Sequence, residues 1–266
     1  MDAYRVAYDG RPFHGFQRQP DVPTVEDAIL DALRDLGVFA GDAPPGYAAA
    51  GRTDAGVSAV AQTVAFEAPD WLSPAAFNGE LPADVRAWAR ADAPDGFHAT
   101  HDATAREYVY HLHAPEADPE RARAALDGLA GEHDFHNLTP DGTGTVRDLS
   151  ASLSVDGEYL VLTFRAGGFA RQLVRRLVSL VRAVAVGAAD VGKVERALAP
   201  EPLPGHEGIA PAPAFPLVLT GVDYPALDFA VDPDAAASAR AVFAERRADW
   251  RTRARVAGEV ADRLGR

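Results

Sequence analysis

The sequence contains no cysteine and only one lysine, and both absences limit the chemistry that the protein can perform. Without cysteine there are no disulfide bonds, no thiol nucleophile and none of the commonest zinc ligands. The eight histidines form no i, i+4 pair on a predicted helix, so we expect no metal site. There is no run of 18 apolar residues and no signal-peptide pattern after Met1, so we expect a cytoplasmic protein without a membrane span.

The charge of the chain is strongly acidic. Its 26 aspartates and 13 glutamates outnumber 25 arginines and the single Lys193, which gives a net charge of −13. An aspartate-rich, nearly lysine-free composition is typical of a protein that stays soluble in concentrated salt, so we predict a halophilic protein. Proteins that bind nucleic acid usually carry basic patches, so composition alone favours a protein that never binds one.

The length allows two domains, and strand and helix patterns occur in both halves. We predict an N-terminal domain over 1–103, a C-terminal domain over 104–225 and a helical extension over 226–266. Capping residues and apolar periodicity predict the helices, and alternation predicts the strands. The predicted helices cover 24–36, a short stretch from 73, 119–130, 170–186 and 234–264. The predicted strands cover 4–9, 60–66, 85–90, 105–112, 153–155, 159–164 and 217–225.

One loop places a carboxylate between two glycines, in the sequence Gly51-Arg52-Thr53-Asp54-Ala55-Gly56. Threonine and aspartate hold tight turns, and glycine tolerates positive φ. One interpretation is an ordinary surface turn, and the other is a catalytic carboxylate presented at the start of a strand. The spacing by itself does not separate these two interpretations.

This loop, continued through Val57-Ser58-Ala59 and followed by Gln62, resembles the signature of the TruA family of tRNA pseudouridine synthases. Serine stands at position 58, where that family usually has histidine. Further segments that are similar to the family are Tyr8 to Gln19, Ala105 to Tyr110, Phe169 to Arg175 and the strand 217–224. The resemblance thus extends in order over residues 4–225.

The resemblance implies an α+β fold of two similar domains, each a mainly antiparallel sheet with helices on one face, and an active-site cleft between them. It implies that Asp54 is the catalytic nucleophile and that Arg175 forms an ion pair with it. It further implies that the target base stacks on Tyr108. The other residues that it suggests for substrate or RNA binding are Arg52, Gln62, Gln17 and Arg18, and Arg171 is a further RNA-contact candidate from the pattern described next.

Three arginines of the predicted helix 170–186 lie on one side of that helix. Arg171, Arg175 and Arg182 fall within roughly 40° of one another at 100° per residue. They form either a functional row or an ordinary solvated face.

The activity implied by the resemblance is conversion of uridine to pseudouridine in the anticodon arm of tRNA, around positions 38–40. We expect no cofactor, tRNA as the partner, and a homodimer. Because concentrated salt screens long-range attraction, we expect RNA to be bound by arginine forks, stacking and shape. The alternatives are a catalytically silent RNA chaperone on the same scaffold and a hydrolase that uses Asp54, which would need a metal cluster or a second paired carboxylate.

Overall fold

The computed structural model describes residues 1–264, so the last two residues of the predicted extension lie outside the described part. A ten-stranded sheet with helices packed against it confirms the predicted α+β class. The strands are β1 Asp2–Tyr8, β2 Ala48–Ala49, β3 Ser58–Phe66, β4 Val85–Asp92, β5 Ala105–His113, β6 Gly131–Asp134, β7 Val146–Asp156, β8 Tyr159–Ala166, β9 Leu217–Asp223 and β10 Ala230–Val231. The helices are α1 Val25–Asp35, α2 Pro74–Phe77, α3 Pro119–Leu129, α4 Leu173–Ala185, α5 Gly192–Leu198 and α6 Pro233–Leu264, and 3-10 turns cover His136–Leu138 and Gly205–Glu207.

Two helix starts follow the capping chemistry that the sequence predicts. The Thr24 hydroxyl accepts a hydrogen bond from the Asp27 backbone N–H at 3.2 Å, which opens α1. The Ser73 hydroxyl accepts from the Ala76 N–H at 3.0 Å, and Pro74 occupies the first helical position of α2. Both predicted starts are confirmed.

The helix predicted over 170–186 begins later than expected. Gln172 has a φ of 61°, so the chain enters right-handed helical geometry only at Leu173. Arg171 therefore precedes the helix and forms an ion pair with Asp141, and the exposed Arg182 side chain pairs with Glu116. The predicted common row of Arg171, Arg175 and Arg182 is wrong.

The sheet runs through both halves of the chain. Its strand order is β10-β4-β1-β3-β9-β5-β8-β7-β6, with β2 paired to β3. All neighbours are antiparallel except β3 and β9, which run parallel with Ser58 opposite Val218. The halves therefore share one sheet, where we expected one sheet in each. The domain boundary at residue 103 stays a prediction.

Two hydrophobic clusters support this sheet, and β9 contributes to both. In the cluster of the N-terminal half, Tyr4 stacks on Phe66 with ring centroids 5.2 Å apart. Leu217 of β9 packs in the C-terminal cluster, whereas Leu219 and Val222 pack in the N-terminal one. Strand β9 thus completes the core of the N-terminal half, although it lies in the C-terminal half of the sequence.

The last helix is anchored at its N-terminal part. Ala235, Ala236 and Ala239 are its buried residues. Further along, Arg246 binds Asp9 at 3.0 Å and also binds Asp84. No helix within residues 1–264 combines the length and the apolar character that crossing a membrane requires.

The loop after β1 packs closely against the loop that carries Asp54. The Gly10 N–H donates to the Ser58 hydroxyl at 3.1 Å. A Cβ atom at Gly10 would lie 2.0 Å from the carbonyl oxygen of Val57, so only glycine fits there without displacing the backbone.

We predict that Gly10→Ala lowers the free energy of unfolding by about 1–3 kcal/mol, because the added methyl group collides with the Val57 backbone and forces it to move. Chemical denaturation with linear extrapolation measures the change. Gly41→Ala is the control, since a Cβ atom at Gly41 meets nothing within 4 Å. Equal stability of the two variants would show that the contact is not rigid.

Candidate active site

A cleft with a volume of about 1140 Å³ lies between the Asp54 loop and the start of α4. It exceeds the roughly 300–1,000 Å³ that is typical of small-molecule pockets. Residues of both halves of the chain line it. Six of the eight predicted site residues are among them: Gln17, Arg52, Asp54, Tyr108, Arg171 and Arg175.

The Asp54 loop is a tight turn held by hydrogen bonds within itself, to β1 and to the loop that follows β1. The Val57 N–H donates to the Asp54 carbonyl at 3.1 Å, and Gly56 adopts a φ of 83° inside this turn. The Thr53 carbonyl accepts from the Phe16 N–H at 3.0 Å. The Thr53 hydroxyl hydrogen-bonds the buried Tyr8 hydroxyl at 2.8 Å. These bonds fix the backbone while the Asp54 carboxylate faces the cleft.

Asp54 and Arg175 form an ion pair across the cleft. Arg175 Nη1 donates to Asp54 Oδ2 at 2.7 Å, and the two side chains are 16% and 33% exposed for Arg175 and Asp54 respectively. Arg175 Nε donates to the Ala212 carbonyl at 2.7 Å, which fixes the orientation of the guanidinium plane. The ion pair that the resemblance implied is present. An ordinary surface turn does not require its carboxylate to pair with an arginine from a distant part of the chain.

Tyr108 lies on the cleft wall near this pair. It belongs to β5, with Phe164 of β8 and Leu219 of β9 as its strand neighbours. Its ring meets the Phe169 ring edge-on, with centroids 5.3 Å apart. Burial raises the pKa of Tyr108 to about 12, the Arg106 guanidinium lowers it and the Asp54 carboxylate raises it. The hydroxyl is therefore protonated at neutral pH and free to donate a hydrogen bond.

Gln62 occupies a different position from the one we expected. Its side chain is fully buried in β3 and is not part of the cleft wall. Gln62 Nε2 donates to the Gly51 carbonyl at 2.9 Å, and Gln62 Oε1 accepts from the Thr63 N–H at 3.1 Å. The amide therefore holds the start of the Asp54 loop, and the predicted contact with substrate stays a prediction.

The remaining candidates differ in how free their side chains are. Arg52 and Gln17 are exposed on the cleft wall, and Arg52 makes no side-chain hydrogen bond or ion pair with any residue of 1–264. Arg18 is exposed beside the wall, and its backbone N–H donates to Glu26 at 2.9 Å. Arg171 is held by Asp141, which accepts from its backbone N–H at 2.8 Å.

Arg106 supports the site from outside the cleft wall, and sequence reasoning did not assign it. Its Nη1 donates to the carbonyls of Ala103 and Gly167, and its Nη2 to those of Ala50 and Thr100, at 2.6–3.2 Å. One guanidinium thereby joins the segment before the Asp54 loop to the segment before Phe169. Its place two residues before Tyr108, within the segment that resembles the family, was the available signal.

A hydrolase site would need additional ligands or acids close to Asp54. Within residues 1–264, no three histidine, aspartate or glutamate side chains cluster as a metal site requires. The other carboxylates on the cleft wall are Glu26 and Asp141, and both accept the hydrogen bonds described above. The described residues therefore offer Asp54 no second, free carboxylate partner.

Comparison with known proteins places the chain among similar sequences. A family model described as tRNA pseudouridine synthase matches residues 125–225. A protein named tRNA pseudouridine synthase A from Haloarcula marismortui is 61% identical over 275 residues, covering 99% of this chain and 100% of that protein. Its namesake from Natronomonas pharaonis is 62% identical and covers 98% of each chain, and that from Methanosarcina acetivorans is 38% identical and covers 84% of each.

We predict that Gln62→Leu lowers the free energy of unfolding by about 1–3 kcal/mol, because the Gly51 carbonyl and the Thr63 N–H lose their buried partner. Gln17→Leu provides a matched control on the exposed cleft wall and should leave stability nearly unchanged. Thermal unfolding followed by circular dichroism compares the two. A Gln62→Leu protein as stable as the control would contradict the supporting role.

Proposed function

The chain belongs to the tRNA pseudouridine synthase A family, and from this we propose that it isomerises uridine to pseudouridine in the anticodon arm of tRNA, around positions 38–40, with Asp54 as the nucleophile. The observation that carries the proposal is the 2.7 Å ion pair between Asp54 and Arg175 in a cleft that Tyr108 also lines. A carboxylate that is paired, partly exposed and held on a rigid turn is arranged for attack.

The reaction defines what the site must supply. The N1–C1′ bond of uridine breaks, the base turns, and a C5–C1′ bond forms. The hydrogen on C5 leaves as a proton and N1 takes up a proton, so the product is an isomer of uridine. Asp54 attacks the sugar or the base of the target uridine. Arg175 holds the carboxylate in one orientation while water is displaced by the incoming nucleotide.

The target base has to leave its stack before it reaches Asp54. Unstacking costs a few kcal/mol, and contacts inside the pocket offset that cost. The volume of the cleft supports entry of an everted nucleotide, and we assign the Tyr108 ring as the surface on which the base stacks. The unpartnered Arg52 guanidinium is assigned to a phosphate or to the contacts that the everted base leaves behind.

The surroundings of the enzyme follow from the same proposal. The relatives from Haloarcula marismortui and Natronomonas pharaonis agree with the halophilic character that the acidic composition predicts. We assign the protein to the cytoplasm as a homodimer, and the dimer rests on the resemblance alone. Analytical ultracentrifugation in molar KCl tests the dimer.

We predict that Asp54→Asn abolishes pseudouridine formation, with a rate loss of at least about 10³-fold, while tRNA binding persists, because the amide keeps the shape and removes the nucleophile. Release of tritium from tRNA labelled at C5 of its uracils measures turnover, and filter binding measures affinity. The exposed Asp42→Asn serves as the control and should keep full activity. Turnover by Asp54→Asn would disprove the assigned nucleophile, and a wild-type protein that binds tRNA without converting it would favour the silent chaperone.

We predict that Arg175→Lys reduces turnover by about 10²-fold, because one ammonium group cannot bind the Asp54 carboxylate and the Ala212 carbonyl in the same geometry. The matched control is Arg182→Lys, on the same helix, where the exposed arginine pairs with Glu116. Its turnover should stay within about twofold of wild type. Equal activity of the two variants would remove the proposed role of the ion pair.

A further inference from the structure

The C-terminal helix extends well beyond the part that is packed against the sheet. Its 32 residues span about 48 Å at 1.5 Å per residue. Every residue from Arg247 to Leu264 is exposed. None of its residues belongs to the cleft wall.

The contacts of α6 define which of its faces points towards the protein. Arg246 binds Asp9 and Asp84, and the Arg11 guanidinium lies 3.4 Å from the centroid of the Trp250 ring. At 100° per residue, another set of arginines falls within an arc of about 80°, centred about 115° away from these contacts. This set is called the arginine stripe here and consists of Arg240, Arg247, Arg251 and Arg255.

The arginine stripe stands out among the arginines of the chain. Within residues 1–264, only six arginine side chains make no hydrogen bond or ion pair with another described residue. Two of them, Arg18 and Arg52, lie at the proposed RNA cleft, and the other four are the members of the stripe. The free guanidinium groups of an otherwise acidic protein are therefore concentrated in two places.

The helix does not neutralise its own stripe. Asp249 pairs with Arg253 and Glu259 pairs with Arg263, and these two arginines lie on other faces. Arg247, Arg251 and Arg255 follow one another at i, i+4 spacing, where like charges destabilise a helix. A bound polyanion would offset this repulsion, and this explains why the protein carries such a row of arginines.

We propose that the arginine stripe of α6 binds the sugar-phosphate backbone of tRNA at a distance from the target uridine. This inference rests on the proposed function. The arginine fork binds phosphate bidentately at short range, so the contact operates in the salt that screens long-range attraction. Asp9, which anchors Arg246, directly precedes Gly10, whose N–H binds Ser58 near the Asp54 loop. The helix that carries the stripe is thus anchored to the loop that packs against the Asp54 loop.

The test compares two double variants that remove the same charge from the same exposed end of the helix. Arg251→Gln with Arg255→Gln removes half of the stripe, and Arg253→Gln with Arg263→Gln is the control. Affinity is measured by fluorescence anisotropy with full-length tRNA and with an isolated anticodon stem-loop. Each is titrated in several KCl concentrations, and KM and kcat are measured for the tRNA.

The stripe variant should bind full-length tRNA roughly tenfold more weakly, with a shallower salt dependence and an unchanged kcat. The control should stay within about twofold, and neither variant should change affinity for the stem-loop. Equal effects of the two variants, no effect, or an equal loss with the stem-loop would overturn the proposal. Loss of a dimer in the stripe variant alone would instead assign the stripe to a second copy of the chain.

Repeating the anisotropy measurement in the Asp54→Asn background separates this proposal from the previous one. Binding of tRNA there reports on the stripe even if the wild-type protein forms no pseudouridine. Circular dichroism verifies that α6 is intact in both double variants. Removing like charges should leave helicity the same or higher.

Discussion

The contact between Asp54 and Arg175 is the interaction on which the site depends, because it joins residues 121 positions apart in the chain. A partly exposed ion pair contributes little to stability in general. Here each partner is fixed by further bonds: the carboxylate by a turn that Tyr8 and Phe16 support, and the guanidinium by the Ala212 carbonyl. The protein therefore holds a charged pair at the edge of a large cleft, where exclusion of water would strengthen the attraction between the two groups.

The parallel pairing of β3 with β9 explains why these groups meet. The Asp54 loop directly precedes β3, and the segment with Ala212 directly precedes β9. Because the two strands are parallel and Ser58 lies opposite Val218, both segments enter the sheet at the same end of its strands. A Cβ atom at Gly56 would lie 3.6 Å from the Ala214 side chain, so the two segments are in contact. The continuous sheet thus brings the halves of the site together.

The sequence allowed the fold class, the capped helix starts and the Asp54–Arg175 pair to be predicted, because each depends on local chemistry or on a long motif. Other features depend on tertiary context. The positive φ of Gln172 makes α4 begin at Leu173, so Arg171 lies outside the helix, although no glycine or proline marks that position. Gln62 belongs to the same motif as Asp54, and only the structure shows that its amide is buried beneath the loop. The pairing of β3 with β9 requires register between distant segments, which no local pattern encodes.

Strand β9 also has a consequence for how the newly made chain acquires its structure. Leu219, Val222 and Tyr224 fill the N-terminal cluster, and the Val222 carbonyl accepts from Arg5. During synthesis, the first hundred residues emerge from the ribosome long before this strand exists. The start of β3 therefore stays unpaired on one side until residues 217–224 have been translated, and only then can β9 complete the sheet and the cluster of the N-terminal half. In this protein the early half is completed by one of the last strands to be made.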